Sequence, residues 1–148
     1  ADMAKMGEDL APAPLAYGAN CGVGASDLLR TVLGFAAQGG DRPIIAKGNA
    51  GIPKYVDGHI HYDGTPELMG EYAVMARNSG AKIIGGCCGT LPVHLEQMRE
   101  ALDTRPRGAA PTLEEIAAKL GAFSSASDGT GDDAPGNDRR SRGRRRRG

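Results

Sequence analysis

Short apolar runs alternate with amphipathic stretches of helical period along this chain, and the alternation repeats three times. Ala1 to Met6 reads as the last turns of a helix, and Ala11-Pro12-Ala13-Pro14 breaks it, because proline cannot continue a helix. Leu15 to Ala19 predicts the first strand. Gly22-Val23-Gly24-Ala25 then turns the chain into a helix that begins near Ala25 or Ser26. Its Leu28, Leu29, Val32, Leu33 and Phe35 form one apolar stripe, and Gly39-Gly40 stops it. Arg42 to Lys47, β-branched at its centre, predicts the second strand, which ends in Gly48-Asn49-Ala50-Gly51-Ile52-Pro53. Lys54 to Gly64 reads as a long loop.

Thr65-Pro66-Glu67 is a helix start: a capping hydroxyl, proline at the first helical position and an acid in the first turn. Leu68, Tyr72 and Met75 line one face of that helix, and Gly80 ends it. Ala81 to Gly86 predicts the third strand. Leu91, Leu95, Met98 and Leu102 then recur at helical spacing, which predicts an amphipathic helix from Pro92 to Leu102. Pro111 to Leu120 predicts a short last helix, with Thr112 and Glu115 as a capping box and Leu113, Ile116, Ala117 and Leu120 as its apolar edge.

Three successive strand-then-helix units imply a parallel sheet with right-handed crossovers. Their spacing fits an α/β barrel of the TIM type, in which each unit takes about 30 residues of about 250. Three units cannot close a barrel, so the choice is a small open sheet or a barrel whose front lies on sequence not present here; the second is the expectation. The fold class is therefore α/β: βα units of a (β/α)8 barrel, followed by a tail.

Charge changes the picture only at the far end. Of 148 residues, 18 are Lys or Arg and 18 are Asp or Glu, so the formal net charge is zero. Arg139 to Gly148 is mostly arginine, which leaves the body acidic. From Ser124 onward the chain is Ser, Gly, Asp and Asn and then arginine, too polar to offset its ordering entropy, and is expected to stay disordered. The organisation expected is a partial barrel domain over 1–105, a short helix over 106–122 and a disordered tail over 123–148. No apolar run approaches the roughly 20 residues that span a bilayer, and no charged-then-apolar leader pattern is present. The three cysteines, an odd number with two adjacent, do not make a disulfide framework and point to a reducing, cytoplasmic compartment.

Those three cysteines carry the candidate chemistry. Cys87 and Cys88 follow the third predicted strand inside Gly85-Gly86-Cys87-Cys88-Gly89-Thr90, and Cys21 follows the first inside Gly18-Ala19-Asn20-Cys21-Gly22. Strand ends are where α/β folds keep their chemistry, and three thiols at two such ends suggest one shared metal. Zinc with three protein ligands and an open fourth position is the pattern of a catalytic site. A free thiol with a pKa near 8.5 is mostly protonated at neutral pH, whereas a zinc-bound one is deprotonated outright. A substrate thiol in the open position would thus be a nucleophile, and after alkylation a poorer ligand that leaves. Two plainer alternatives stay open on spacing alone: buried cysteines acting as small hydrophobes, and a redox-active vicinal pair.

Gly18-Ala19-Asn20-Cys21, Gly48-Asn49-Ala50-Gly51-Ile52-Pro53 and Gly85-Gly86-Cys87-Cys88-Gly89-Thr90, with Pro92 and His94, together resemble the homocysteine S-methyltransferase family. The resemblance covers about residues 1 to 105. It implies a zinc-containing α/β barrel of which this chain holds the last three βα units, with Cys21, Cys87 and Cys88 as zinc ligands and homocysteine thiolate in the open position. It also places Asn20, Asn49, Ala50 and Gly51 on the substrate side of the mouth. The implied reaction is methyl transfer to homocysteine to form methionine, from betaine or a similar small donor. A homocysteine-binding component of a split cobalamin-dependent methionine synthase is the alternative. Two departures stand out: Gly48 takes the place of the family's usual proline, which is expected to free that loop, and the family's acidic glycine motif, with much of the donor-binding region, is absent. The fragment by itself is expected to be inactive.

Other features have plainer readings. His59 and His61 alternate and would share one side of an extended segment, but exposed loop histidines are the ordinary case. His94 suits packing or capping better than catalysis. Gly22-Val23-Gly24 lacks the rest of a phosphate loop. Tyr17, Tyr55 and Tyr62 offer rings for a cationic donor cage, against ordinary packing. The arginine tail suits non-specific contact with nucleic acid, having no interleaved aromatics; a nucleic-acid-associated protein and a simple thiol-redox protein are the rival classes. Assembly as a homo-oligomer is left open.

Overall fold

The computed structural model of the chain describes residues 2–124. The elements run α1 Asp2–Asp9, β1 Tyr17–Asn20, α2 Ala25–Ala37, β2 Ile44–Gly48, β3 Pro53–Val56, β4 His59–Tyr62, α3 Pro66–Asn78, β5 Ala81–Gly86, α4 Pro92–Thr104 and α5 Leu113–Leu120. The predicted parallel sheet is present, with strand order β1-β2-β5. Parallel neighbours cannot be joined by a tight turn, and here α2 and α3 carry the two crossovers. Asn20 pairs with Lys47 and Lys47 with Gly85, so β1 and β5 end level on either side of β2.

The helices cover one face of this sheet. Leu28, Leu29 and Val32 of α2 and Met69, Tyr72 and Ala73 of α3 meet Ile44 and Ala46 of β2 in one buried cluster, joined by Met98 of α4 and Ile116 and Leu120 of α5. A register shift on β5 decides which isoleucine joins them: Ile44 lies opposite Ala81, but Ile45 lies opposite Ile83. The extra residue, Lys82, turns Ile84 toward the helices and leaves Ile83 on the far face, 48% exposed. That far face also presents Asn20 and Lys47, both exposed.

The capping chemistry is as the sequence predicts. The Thr65 hydroxyl accepts from the Leu68 N–H at 3.2 Å, with Pro66 opening the helix. Thr112 and Glu115 satisfy each other's backbone N–H groups at 3.2 and 2.8 Å. No helix among the described residues is long and apolar enough to cross a membrane.

Three expectations need correction. The stretch Lys54 to Gly64 is not a long loop: β3 and β4 form an antiparallel hairpin. Its turn is Asp57-Gly58, with φ of 49° and 81°, the two positive values that a type I′ hairpin turn requires. In the last long helix the buried side is His94, Met98 and Ala101, whereas Leu91 and Leu95 are 59% and 49% exposed. The first strand begins at Tyr17, and Leu15 stands in solvent at 92% exposure.

Past α5, Gly121 to Ser124 fold back on the start of α2. The Ser124 N–H and hydroxyl both donate to the Asp27 carboxylate at 3.0 and 2.8 Å, and Arg30 stacks over the Phe123 ring at 4.6 Å. The tail proper, 125–148, with its arginine run, lies outside the described residues.

Because Ile116 is fully buried in the common cluster, Ile116→Ala is expected to cost about 2–5 kcal/mol of stability. Urea unfolding measures this; a loss below about 1 kcal/mol would mean that α5 is an appendage.

Candidate metal centre

The three cysteines converge at the carboxyl ends of the strands. Their sulfur atoms all lie within 4.8 Å of one another, with Cys21 Sγ and Cys88 Sγ 3.4 Å apart, and no disulfide joins them. Among the described residues this is the cluster of metal-ligating side chains that could hold an ion. Four sulfurs about 2.3 Å from a tetrahedral zinc stand about 3.8 Å apart, a little wider than the Cys21–Cys88 pair and inside the 4.8 Å that bounds all three. All three residues are partly exposed, so the cluster has an open side.

The exit of β2 holds both thiol arms. On one side the Cys21 N–H donates to the Lys47 carbonyl at 3.1 Å. On the other, the Cys87 N–H donates to the Gly48 carbonyl at 2.8 Å, and the Cys88 carbonyl accepts from the Ala50 N–H at 3.0 Å. The Asn49 side chain, 2% exposed, accepts the Cys88 N–H at 3.1 Å. Gly48 is not loosened by the lack of a proline ring: its N–H donates to the buried Tyr72 hydroxyl at 2.9 Å. Burial holds the Tyr72 phenol far above its ordinary pKa, so this hydroxyl remains protonated.

Two left-handed residues aim the sulfurs. Cys21 has a φ of 58°, a conformation that costs a non-glycine residue on the order of 1 kcal/mol or more. The Thr90 N–H closes a tight turn onto the Cys87 carbonyl at 3.2 Å, and Gly89, at its third position, has a φ of 75°. A Cβ at Gly89 would fall 2.3 Å from Cγ of Tyr62, so only glycine lets that ring lie on the turn.

The cluster polarises its own protons. Hydrogen bonding from Cys88 comes first among the causes that hold the Cys21 thiol below its ordinary pKa, followed by the Gly22 N–H, Cys87 and, weakly, Asn49. Cys88 is pushed up, chiefly by Cys21. Of this pair, Cys21 is eased toward thiolate and Cys88 is held from it.

Of the other residues singled out from sequence, Asn49 and Ala50 are buried, and their polar groups hold the Cys88 turn. Asn20 is exposed at the end of β1, and Gly51, with a φ of 91°, lies against Asp63 and Gly64 at the hairpin base. His59 and His61 are exposed on β4 and outside the sulfur cluster. Tyr17 packs edge-on against Phe35 in the core. His94 caps, as its position suggests: Nδ1 accepts from the Leu91 N–H at 2.9 Å, so Nε2 carries the proton and donates to the Gly64 carbonyl at 3.0 Å. That bond ties α4 to the base of the hairpin.

Tyr62 is the residue that sequence reasoning undervalued. Its ring covers Gly89, and hydrogen bonding to Cys88 is the first cause raising its phenol above the ordinary pKa. The Asp57-Gly58 turn signal was the available clue, since a hairpin there brings Tyr62 back to the thiols. A cavity of about 440 Å3 lies elsewhere, between Ser26 and Asp27 at the start of α2, the hairpin base at Ile52 and Lys54, and α5. None of the three thiols lines it, so it is not where this chemistry sits.

The family model of homocysteine S-methyltransferase matches residues 1–102 of the chain, which takes in both strand ends and all three cysteines.

The opposed shifts set an order of reaction. In metal-free reduced protein, Cys21 is expected to be alkylated by iodoacetamide at lower pH than an ordinary thiol, and Cys88 only at higher pH. Peptide mass spectrometry across a pH series measures it, and Cys88 reacting first would contradict the arrangement.

Proposed function

The chain belongs to the homocysteine S-methyltransferase family, and on that premise we propose that it binds zinc through Cys21, Cys87 and Cys88 and presents homocysteine to a small methyl donor, forming methionine. The observation that carries this reading is the convergence of three sulfurs within 4.8 Å from two strands that are not neighbours. Bound zinc would supply the positive charge that keeps a coordinated thiol deprotonated at neutral pH. The protein's own part is positional. The β2 exit and the turn at Gly89 hold three sulfurs on one side and leave the other open to the homocysteine sulfur. Asn20 and Gly51 border that opening, while Asn49 and Ala50 act through the Cys88 turn. The homocysteine sulfur then attacks the methyl carbon in line, and the carbon–nitrogen bond breaks with its electron pair left on the nitrogen, which departs as a neutral amine group. Betaine is the donor favoured, and three reduced thiols suit a cytoplasmic setting.

The same reading extends to the fold. We take residues 1–105 as part of a (β/α)8 barrel and 106–122 as a helix packed against it. Support comes from a parallel sheet with helices on one face only, since such sheets are ordinarily covered on both. In a barrel, further strands would cover Ile45, Lys47 and Ile83 and complete the substrate site. Activity is therefore a property of the completed barrel.

Zinc analysis of the reduced protein tests the site. One zinc per chain is expected in the parent, and loss of at least tenfold in affinity in each of Cys21→Ser, Cys87→Ser and Cys88→Ser. A folded parent, in its completed barrel, without zinc would overturn the proposal.

A further inference from the structure

The face of the sheet that carries no helices is sorted by height. Paired residues of neighbouring strands share a face, and successive residues alternate. Ile45 stands between Gly18 and Ile83 in an apolar row. One step nearer the thiols, Lys47 stands between Asn20 and Gly85 in a polar row. Lys47 touches both thiol arms. Its carbonyl accepts the Cys21 N–H at 3.1 Å, and its stem lies over Gly85, where a Cβ would stand 3.7 Å from Lys47 Cγ. Gly85 leads through Gly86 into Cys87. The Lys47 side chain is exposed, and no carboxylate among the described residues pairs with it. By contrast, Lys54 is held by Asp63 at 2.5 Å and Lys119 by Glu71 at 3.3 Å.

We propose that the Lys47 ammonium seats the carboxylate of the substrate thiol, and so selects an amino-acid thiol over a simple one. The proposal rests on the methyl-transfer reading above and adds to it a residue and a contact. An ammonium in the wall of a barrel is costly to bury unless an anion meets it. The other residues of the two rows, Gly18, Asn20, Ile45, Ile83 and Gly85, are uncharged, so this wall supplies no anion of its own.

The substrate brings the missing charge. With its sulfur at the open side of the cluster, homocysteine carries its carboxylate only a few bonds away, and Lys47 is rooted between the two arms that hold that cluster. Lysine suits the task, since its ammonium is a compact charge with rotatable donors on a flexible stem. A hydrogen bond between two charged groups is shorter and stronger than a neutral one. Because the carboxylate takes no part in the bond changes, the contact acts on binding, and so on KM rather than on kcat.

Calorimetry on the zinc-loaded protein, in its completed barrel, tests the contact with two thiols: homocysteine, and 3-aminopropane-1-thiol, which is homocysteine without its carboxylate. The parent is expected to bind homocysteine about tenfold more tightly than the decarboxylated thiol. Lys47→Met keeps the stem and the main-chain bond to Cys21. It is expected to weaken homocysteine about tenfold and to leave the decarboxylated thiol within about twofold of the parent. Lys47→Arg keeps the charge and is expected to retain most of the affinity. Parental affinity for homocysteine in Lys47→Met overturns the proposal. So does an equal loss for both thiols, which would place the ammonium's action on the sulfur cluster instead. Zinc content of the same samples keeps the two readings apart. If zinc and homocysteine bind and Lys47→Met changes neither, the carboxylate seat alone is wrong. If the parent prefers homocysteine to the decarboxylated thiol without holding zinc, the seat stands and the methyltransferase reading falls.

Discussion

Both thiol arms hang from four consecutive residues. Lys47 to Ala50, where β2 leaves the sheet, hydrogen-bonds the backbone of Cys21 on one side and that of Cys87 and Cys88 on the other, Ala50 donating and the other three accepting. Neighbouring strands in a sheet lie about 4.8 Å apart, so β1 and β5 are too far apart to meet through backbone alone. Their cysteines reach each other across the end of β2, where Asn49 turns inward under Cys88 and Gly48 leaves room for the Tyr72 ring. Behind this, Gly48 is anchored to Tyr72, the largest fully buried side chain. The core and the sulfur cluster are thereby coupled through one hydrogen bond.

Three sulfurs so close repel one another once ionised, and the site shows the consequence before any cation is considered. Cys21 is eased toward thiolate by donors around it, whereas Cys88 resists a second charge. The divalent cation proposed for the site would relieve that opposition, and Cys21 already stands in a left-handed conformation beside it. Around the cluster, the hairpin is pinned at its base rather than along its length. Gly64 bonds to Ala50 and to His94, so the position of Tyr62 follows from the same β2 exit that holds the cysteines.

Much of this was legible in the amino-acid order. Apolar runs ending in glycine and cysteine marked the strand ends, and Thr65-Pro66 and Thr112 with Glu115 marked helix starts, because these signals are local. The hairpin escaped notice because both of its faces are exposed, so no buried period announced it, although Asp57-Gly58 was a turn signal in plain sight. Leu91 and Leu95 carried the right spacing for a buried stripe, yet α4 turns His94 and Met98 inward, since His94 has polar partners to meet there. The bulge at Lys82 and the inward amide of Asn49 depend on contacts between distant segments, which spacing along one chain does not encode.

The central claim is that three protein sulfurs hold one zinc and leave room for the sulfur of homocysteine. X-ray absorption of the zinc-loaded protein, with and without homocysteine, tests it most directly. The account predicts three sulfurs at about 2.3 Å in the free protein and a fourth when homocysteine is added. Fewer than three sulfurs, or a shell that homocysteine leaves unchanged, would contradict it.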